Sequence, residues 1–109
     1  MKVSELIKKL NLVPITASDF TDRDVTGCYI GDLLSWVMGK AQSGDAWITI
    51  MNNINIVAVA SLTDCACIIL CEGVSVDESV IEKSNNEEII ILKSDETAYD
   101  LALKLGEEI

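Results

Sequence analysis

Apolar residues recur along this chain with two different periods. Val3, Leu6, Ile7 and Leu10 fall at helical spacing and draw one apolar stripe, which Pro14 cannot continue. A first helix therefore ends before Pro14, and a short strand at 13–16 follows. Residues 19–26 are polar and charged and read as a loop leading into a brief apolar strand from Cys28 to Ile30. Leu33, Leu34, Val37 and Met38 return to helical spacing over 33–41. Gly44 and Asp45 then punctuate the chain before residues 46–50, a compact run of Trp, Ile and Thr that suits a buried strand.

Residues 54–62 have no polar face, so periodicity alone leaves two readings. One is a buried helix capped by Asn53; the other is the return arm of a hairpin turning at Asn52 and Asn53. The helix is the preferred reading. Residues 66–71 form a continuous apolar run bounded by Glu72 and Gly73, the pattern of a strand covered on both faces. Asp77 and Glu78 place carboxylates in the first turn of a helix through Ser84, where the helix dipole favours them. Residues 89–92 repeat the buried-strand pattern, and Ser94 or Asp95 is expected to cap a last helix carrying Ala98, Leu101, Ala102 and Leu105 inward. Strand and helix thus alternate three times in the second half. That alternation predicts an α/β fold of three layers, α/β/α, around a mostly parallel sheet. No fixed-period repeat, low-complexity segment or linker interrupts the 109 residues, so residues 1–109 are expected to form a single domain.

Composition narrows the possible partners. Eight basic against eighteen acidic residues give a formal charge of -10, which repels phosphate backbones at the range where nucleic-acid binding gains its affinity. Nucleic acid is not an expected partner. Lysines interrupt the apolar residues of the first ten positions, and no run approaches the ~20 apolar residues of a bilayer span. The expectation is a cytoplasmic protein with reduced cysteines and no membrane partner. Half of the residues are hydrophobic, at a mean hydropathy of +0.33, which is rich for a chain whose small interior cannot hide them all. The surplus points to a homodimer.

Chemistry is bounded by what is absent. With no histidine, the usual general base for a serine or cysteine nucleophile cannot come from this chain. Neither phosphate-cradling glycine motif is present, and no cofactor is expected. Cys65, Cys67 and Cys71 are all odd-numbered and would project from one face of a strand. Their ends would lie roughly 20 Å apart, too far to share one metal, so they read as packed thiols. Cys28, next to Gly27, reads the same way; the alternative is a small enzyme that uses Cys28 or a strand-edge carboxylate.

Ligands of parallel sheets bind beyond the carboxyl ends of the strands, where helix amino termini offer backbone donors. That rule selects Gly31 and Asp32, Asn52 and Asn53, Glu72 and Gly73, and Ser94, Asp95 and Thr97. Singly, Asn53, Ser94 and Asp95 are also plain helix caps and Gly73 a plain turn.

The stretch Asp22-Arg23-Asp24-Val25-Thr26-Gly27-Cys28-Tyr29 resembles the signature for which the DRTGG domain family is named, with Cys28 where the pattern has a second glycine. The blocks Gly31-Asp32-Leu33-Leu34-Ser35, Trp47-Ile48-Thr49-Ile50, Asn55-Ile56-Val57-Ala58-Val59-Ala60 and Thr97-Ala98-Tyr99-Asp100-Leu101-Ala102 extend the resemblance over nearly the whole chain. Domains of this family are similar to the amino-terminal domain of HPr kinase/phosphorylase and occur within some phosphotransacetylases and beside CBS-domain pairs. The resemblance implies a stand-alone regulatory module, not a kinase. A distant likeness to the UDP-binding domains of Mur ligases adds a nucleotide-like ligand as an expectation, with docking to a protein partner as the other. Within the signature, Arg23 either clamps an anion or is neutralised by neighbouring acids. Thr26 and Gly27 shape the turn into the strand, with Gly27 expected to use a positive φ. The expected ligand site is therefore Arg23, Thr26, Gly27, Asn53, Gly73, Ser94 and Thr97, gathered on the carboxyl edge of the sheet.

Overall fold

The computed structural model describes residues 1–17 and 19–109. Ten elements follow one another: α1 (Val3–Lys9), β1 (Val13–Pro14), β2 (Gly27–Ile30), α2 (Leu34–Lys40), β3 (Asp45–Thr49), α3 (Asn55–Thr63), β4 (Cys67–Leu70), α4 (Glu78–Asn86), β5 (Ile91–Lys93) and α5 (Ala98–Glu108). The strands form one sheet in the order β1-β5-β4-β3-β2. Four of them are parallel, and only β1, which pairs with β5 through Val13 and Pro14, runs against the rest.

Sequence-adjacent strands β2 to β5 are also neighbours in space, each joined to the next by one helix. The right-handed crossover preference then places α2, α3 and α4 on the same face. Trp47, Ile68, Leu70 and Ile91 point to that face and meet Val37 of α2, Ile56, Val57 and Ala60 of α3, and Val80 of α4. Alternate residues Ala46, Ile48, Cys67, Ile69 and Leu92 point the other way, onto Val3 and Leu6 of α1 and Leu101 and Leu105 of α5. The three-layer α/β/α arrangement with a mostly parallel sheet is as the alternation predicts.

Residues 54–62, open between helix and hairpin arm, lie in a helix. Asn53 Oδ1 accepts from the Asn55 N–H at 2.9 Å and so supports its first turn. Three local expectations are corrected. Thr97, not Ser94 or Asp95, caps α5: its hydroxyl accepts from Asp100 N at 3.2 Å, while Ser94 Oγ accepts from Glu96 N inside the preceding turn. Cys65 does not share a face with Cys67 and Cys71. β4 begins only at Cys67, so strand alternation does not govern Cys65, which packs with Ile68 and Trp47 beneath α3. Leu33 and Met38, expected inward, are exposed at 60% and 51%; Leu34, Val37 and Ala41 hold the inward side of α2 instead.

Candidate functional site

The signature residues lie at the amino edge of the sheet, because they precede β2 in a run of parallel strands. Their backbone passes beside the chain start: Val3 N donates to Arg23 O at 3.0 Å, Val25 N to Met1 O at 2.7 Å, and Lys2 bridges Asp24. The Asp22 carboxylate accepts from the Ser4 backbone N–H at 3.0 Å and from its hydroxyl at 2.5 Å, an anion at the start of α1. Those bonds from Ser4, the hydroxyl first, hold the Asp22 carboxyl below its ordinary value.

Arg23 points the other way, as neighbours on an extended segment do. Its guanidinium donates to Cys65 O at 2.9 Å and Asp64 O at 3.2 Å, and pairs with Asp64 Oδ1 at 3.0 Å. Asp64 stands in the left-handed conformation that ends α3, with φ 58°, and takes a second bond from the Ser43 hydroxyl. That hydroxyl bond and then the Arg23 charge lower the Asp64 carboxyl. Arg23 thus ties the loop before β2 to the loop before β4.

Thr26 and Gly27 meet the loop before β3. Thr26 N donates to Gly44 O at 3.0 Å. Gly27 is not at positive φ, contrary to expectation; Gly44 and Gly73 are. A glycine is needed at position 27 because a Cβ there would stand 2.5 Å from Oδ1 of the buried Asp45.

The other candidates occupy the opposite, carboxyl edge. Asp32 Oδ1 accepts from Thr49 Oγ1 at 2.8 Å and from Ile50 N at 3.0 Å, and Asn52 Nδ2 donates to Ser75 O at 3.0 Å. Glu72 and Gly73, both at positive φ, turn the chain after β4 and donate to Glu96 O and Ser94 O at 2.8 and 2.9 Å. The structure therefore brings Asn53, Gly73, Ser94 and Thr97 to one edge and places Arg23, Thr26 and Gly27 at the other, which corrects the single-edge arrangement. A hollow of ≈ 370 Å³ lies at the carboxyl edge among Asn11, Val13, Lys93, Ser94, Asp95 and Glu96; one of ≈ 360 Å³ lies at the amino edge and includes Arg23, Asp64 and Cys65. Neither Asp45, read in the sequence only as a break before a strand, nor Asp64 was expected at a site. The signal for Asp64 was positional: it precedes β4 as Arg23 precedes β2.

Cys28 sits on β2 with its residue exposed, yet packing around the sulfur and then the Asp45 charge push its thiol up to about 11. At pH 7 that leaves a thiolate fraction of ~10⁻⁴, four pH units below the pKa. The alkylation rate of Cys28 by iodoacetamide is accordingly expected to rise about tenfold per pH unit from neutrality towards pH 10. A rate that levels off by pH 8 contradicts this environment. Burial pushes Cys67 further, to about 12. Among the described residues no group of three His, Cys, Asp or Glu side chains is placed to hold a metal ion, and no helix is long and apolar enough to cross a membrane.

The model of the DRTGG domain matches residues 5–107. The chain belongs to the DRTGG domain family. No curated protein matches it. Among solved structures, this DRTGG domain is similar in fold to the CBS and DRTGG domains of the regulatory region of a Clostridium perfringens pyrophosphatase, complexed with the activator diadenosine tetraphosphate. The TM-score is 0.72 at 11% identity, over 94% of this chain and 45% of that one. The present chain thus spans less than half the length of that solved chain. Two named signature positions, Asp22 and Arg23, serve in this DRTGG domain as ties between loops and the first helix.

Proposed function

We propose that this DRTGG domain is a non-catalytic regulatory module that acts by binding, taking a nucleotide-like small molecule at the carboxyl edge and docking to a protein chain, its own copy included. The observation that carries the proposal is the match of nearly the whole fold to part of a regulatory region in another protein, one whose solved complex contains a nucleotide activator. The chemistry at Cys28 supports the non-catalytic half. A thiol held near 11 beside the buried Asp45, in a chain without histidine, is poorly suited to nucleophilic work. Free cysteines suit a reducing compartment, so the module acts in the cytoplasm.

The ligand-binding residues are Asn53, Gly73, Ser94 and Thr97, of which Ser94 lines the hollow beside Lys93 that would receive part of the ligand. Arg23, Thr26 and Gly27 act as the frame. Asp95 and Glu96 line the same hollow, and the chain carries -10, so weakly anionic nucleotides are preferred over polyphosphates. Titration with adenine and uridine nucleotides, followed by amide chemical shifts, is expected to move Asn53, Gly73, Ser94 and Thr97. Movement confined to the Arg23 edge overturns the site, and silence with every nucleotide removes the ligand from the proposal.

A further inference from the structure

The sheet has two outer edges, and they are built differently. β1 is two residues long and includes Pro14, which has no N–H to offer, so that edge is guarded against further pairing. β2 is longer and carries neither proline nor charge. It pairs with β3 on one side, and among the described residues no strand pairs with its other side. Gly31 N donates inward to Ile48 O at 3.2 Å, so strand alternation turns the N–H and C=O of Cys28 and Ile30 outward. Register places Cys28 beside Ala46 and Ile30 beside Ile48, both in the core under α1 and α5. Cys28 and Ile30 are nevertheless exposed, Ile30 at 49%.

The segment that carries this edge is sparsely charged. Across residues 25–40 the charged side chains are Asp32, whose carboxylate already accepts from Thr49 and Ile50, and Lys40, whose ammonium lies 4.0 Å over the Trp36 ring, so the segment has no net charge. α2, which follows directly, leaves Trp36 and Met38 exposed at 58% and 51%, with Leu33 at its start exposed at 60%.

We propose that β2 is the strand through which two copies of this domain join, paired antiparallel with Cys28 opposite Ile30 of the other copy and Tyr29 on the twofold axis. This deepens the self-docking part of the proposed function and rests on it. The register follows from the backbone: Cys28 and Ile30 are the residues with outward donors and acceptors, and pairing them with each other satisfies both at once. The occupant follows from charge. A chain of -10 repels its own copy over its acidic faces, and residues 25–40, where Asp32 and Lys40 offset each other, are where a second copy approaches at least electrostatic cost. A cationic partner would be drawn to those acidic faces instead. Closure follows from the guarded edge: β1 cannot receive β2, so head-to-tail filaments are blocked and the pairing is isologous. Four-residue strands alone fall short of the roughly 1,200 Å² of a stable interface. In this pairing the exposed Leu33, Trp36 and Met38, which follow β2 in the chain, supply further apolar area.

Light scattering of the intact protein is expected to give twice 11.9 kDa. Ile30→Lys, which sets a charge beside the twofold axis, is expected to weaken the dimer at least about a hundredfold. Leu62→Lys, on the exposed side of α3, should leave the mass unchanged. A wild-type monomer overturns the pairing, as does an Ile30→Lys protein that remains a dimer. Should Ile30→Lys not fold, hydrogen exchange of the wild type decides: the Cys28 and Ile30 amides become protected as protein concentration rises if β2 pairs, and exchange freely at every concentration if it does not. A monomer that still binds nucleotides refutes the pairing alone, whereas a dimer silent to nucleotides refutes the ligand alone.

Discussion

Replacing Arg23 with alanine is expected to cost about 2–3 kcal/mol of stability, because a charged donor to two loop carbonyls disappears. Cys65 O and Asp64 O receive the guanidinium at 2.9 and 3.2 Å; the Cys65 carbonyl is half-buried and loses a charged donor, while Asp64 O lies where water from the amino-edge hollow reaches it. The ion pair with Asp64 is a minor part. The Arg23 side chain is 33% exposed and that of Asp64 61%, and solvent screens such pairs to within about 1 kcal/mol. Asp64→Asn should therefore cost less than Arg23→Ala. Arg23→Lys should recover little, since a single ammonium on a flexible stem cannot reproduce the planar fork that reaches both carbonyls and the carboxylate. Urea and thermal unfolding measure the series; for a domain of this size a loss of 2–3 kcal/mol lowers the melting temperature by roughly 10 °C. A lysine variant as stable as wild type, or an alanine variant within about 0.5 kcal/mol of it, contradicts the tie between the two loops.

Gly27→Ala is expected to be comparably harmful through a different cause. The added methyl meets Asp45 Oδ1 at 2.5 Å, and the carboxylate has little room to retreat: the residue is buried, and Oδ2 holds the Gln42 N–H at 2.8 Å. Overpacking of this kind costs about 1–3 kcal/mol, more where retreat breaks a hydrogen bond. Asp45→Ser shortens the obstructing side chain. In that background Gly27→Ala should add almost nothing, and a double-mutant cycle by urea unfolding isolates the coupling. Equal costs of Gly27→Ala in both backgrounds would show that the Asp45 carboxylate is not the reason for the glycine.

The strands were legible because their neighbours in the sheet are legible. Ala46, Trp47 and Ile48 are buried on both faces, and a continuous apolar run of that length has few other uses in a chain with polar, glycine-marked turns. The largely apolar segment at 54–62 was less so. A helix whose sequence lacks a polar face gives no period to read, and the bond of Asn53 Oδ1 to Asn55 N is visible only in three dimensions. The site was half legible. Asn53, Gly73 and Ser94 follow strands and therefore share the carboxyl edge, and Thr97 sits close behind as a cap. Arg23 precedes a strand and by the same rule belongs at the amino edge; grouping it with the others ignored strand direction. Gly27 shows a further limit: sequence marks a glycine but not whether φ or a neighbouring carboxylate demands it.

The two faces of the sheet differ in how far apart in the chain their coverings lie. Each crossover on the α2–α4 face joins strands adjacent in sequence, so its contacts close short loops at small entropic cost. The opposite face is covered by α1 and α5, contributed from the two ends of the described chain and held together near the surface by Lys9 and Glu108 at 3.9 Å. A growing polypeptide can assemble the crossovers as they emerge, whereas Ile48, Ile69 and Leu92 have only α1 to cover that side until the last helix has been made. Those three residues form the surface most exposed to aggregation while the chain is incomplete, and the docking of α5 is the event that removes it.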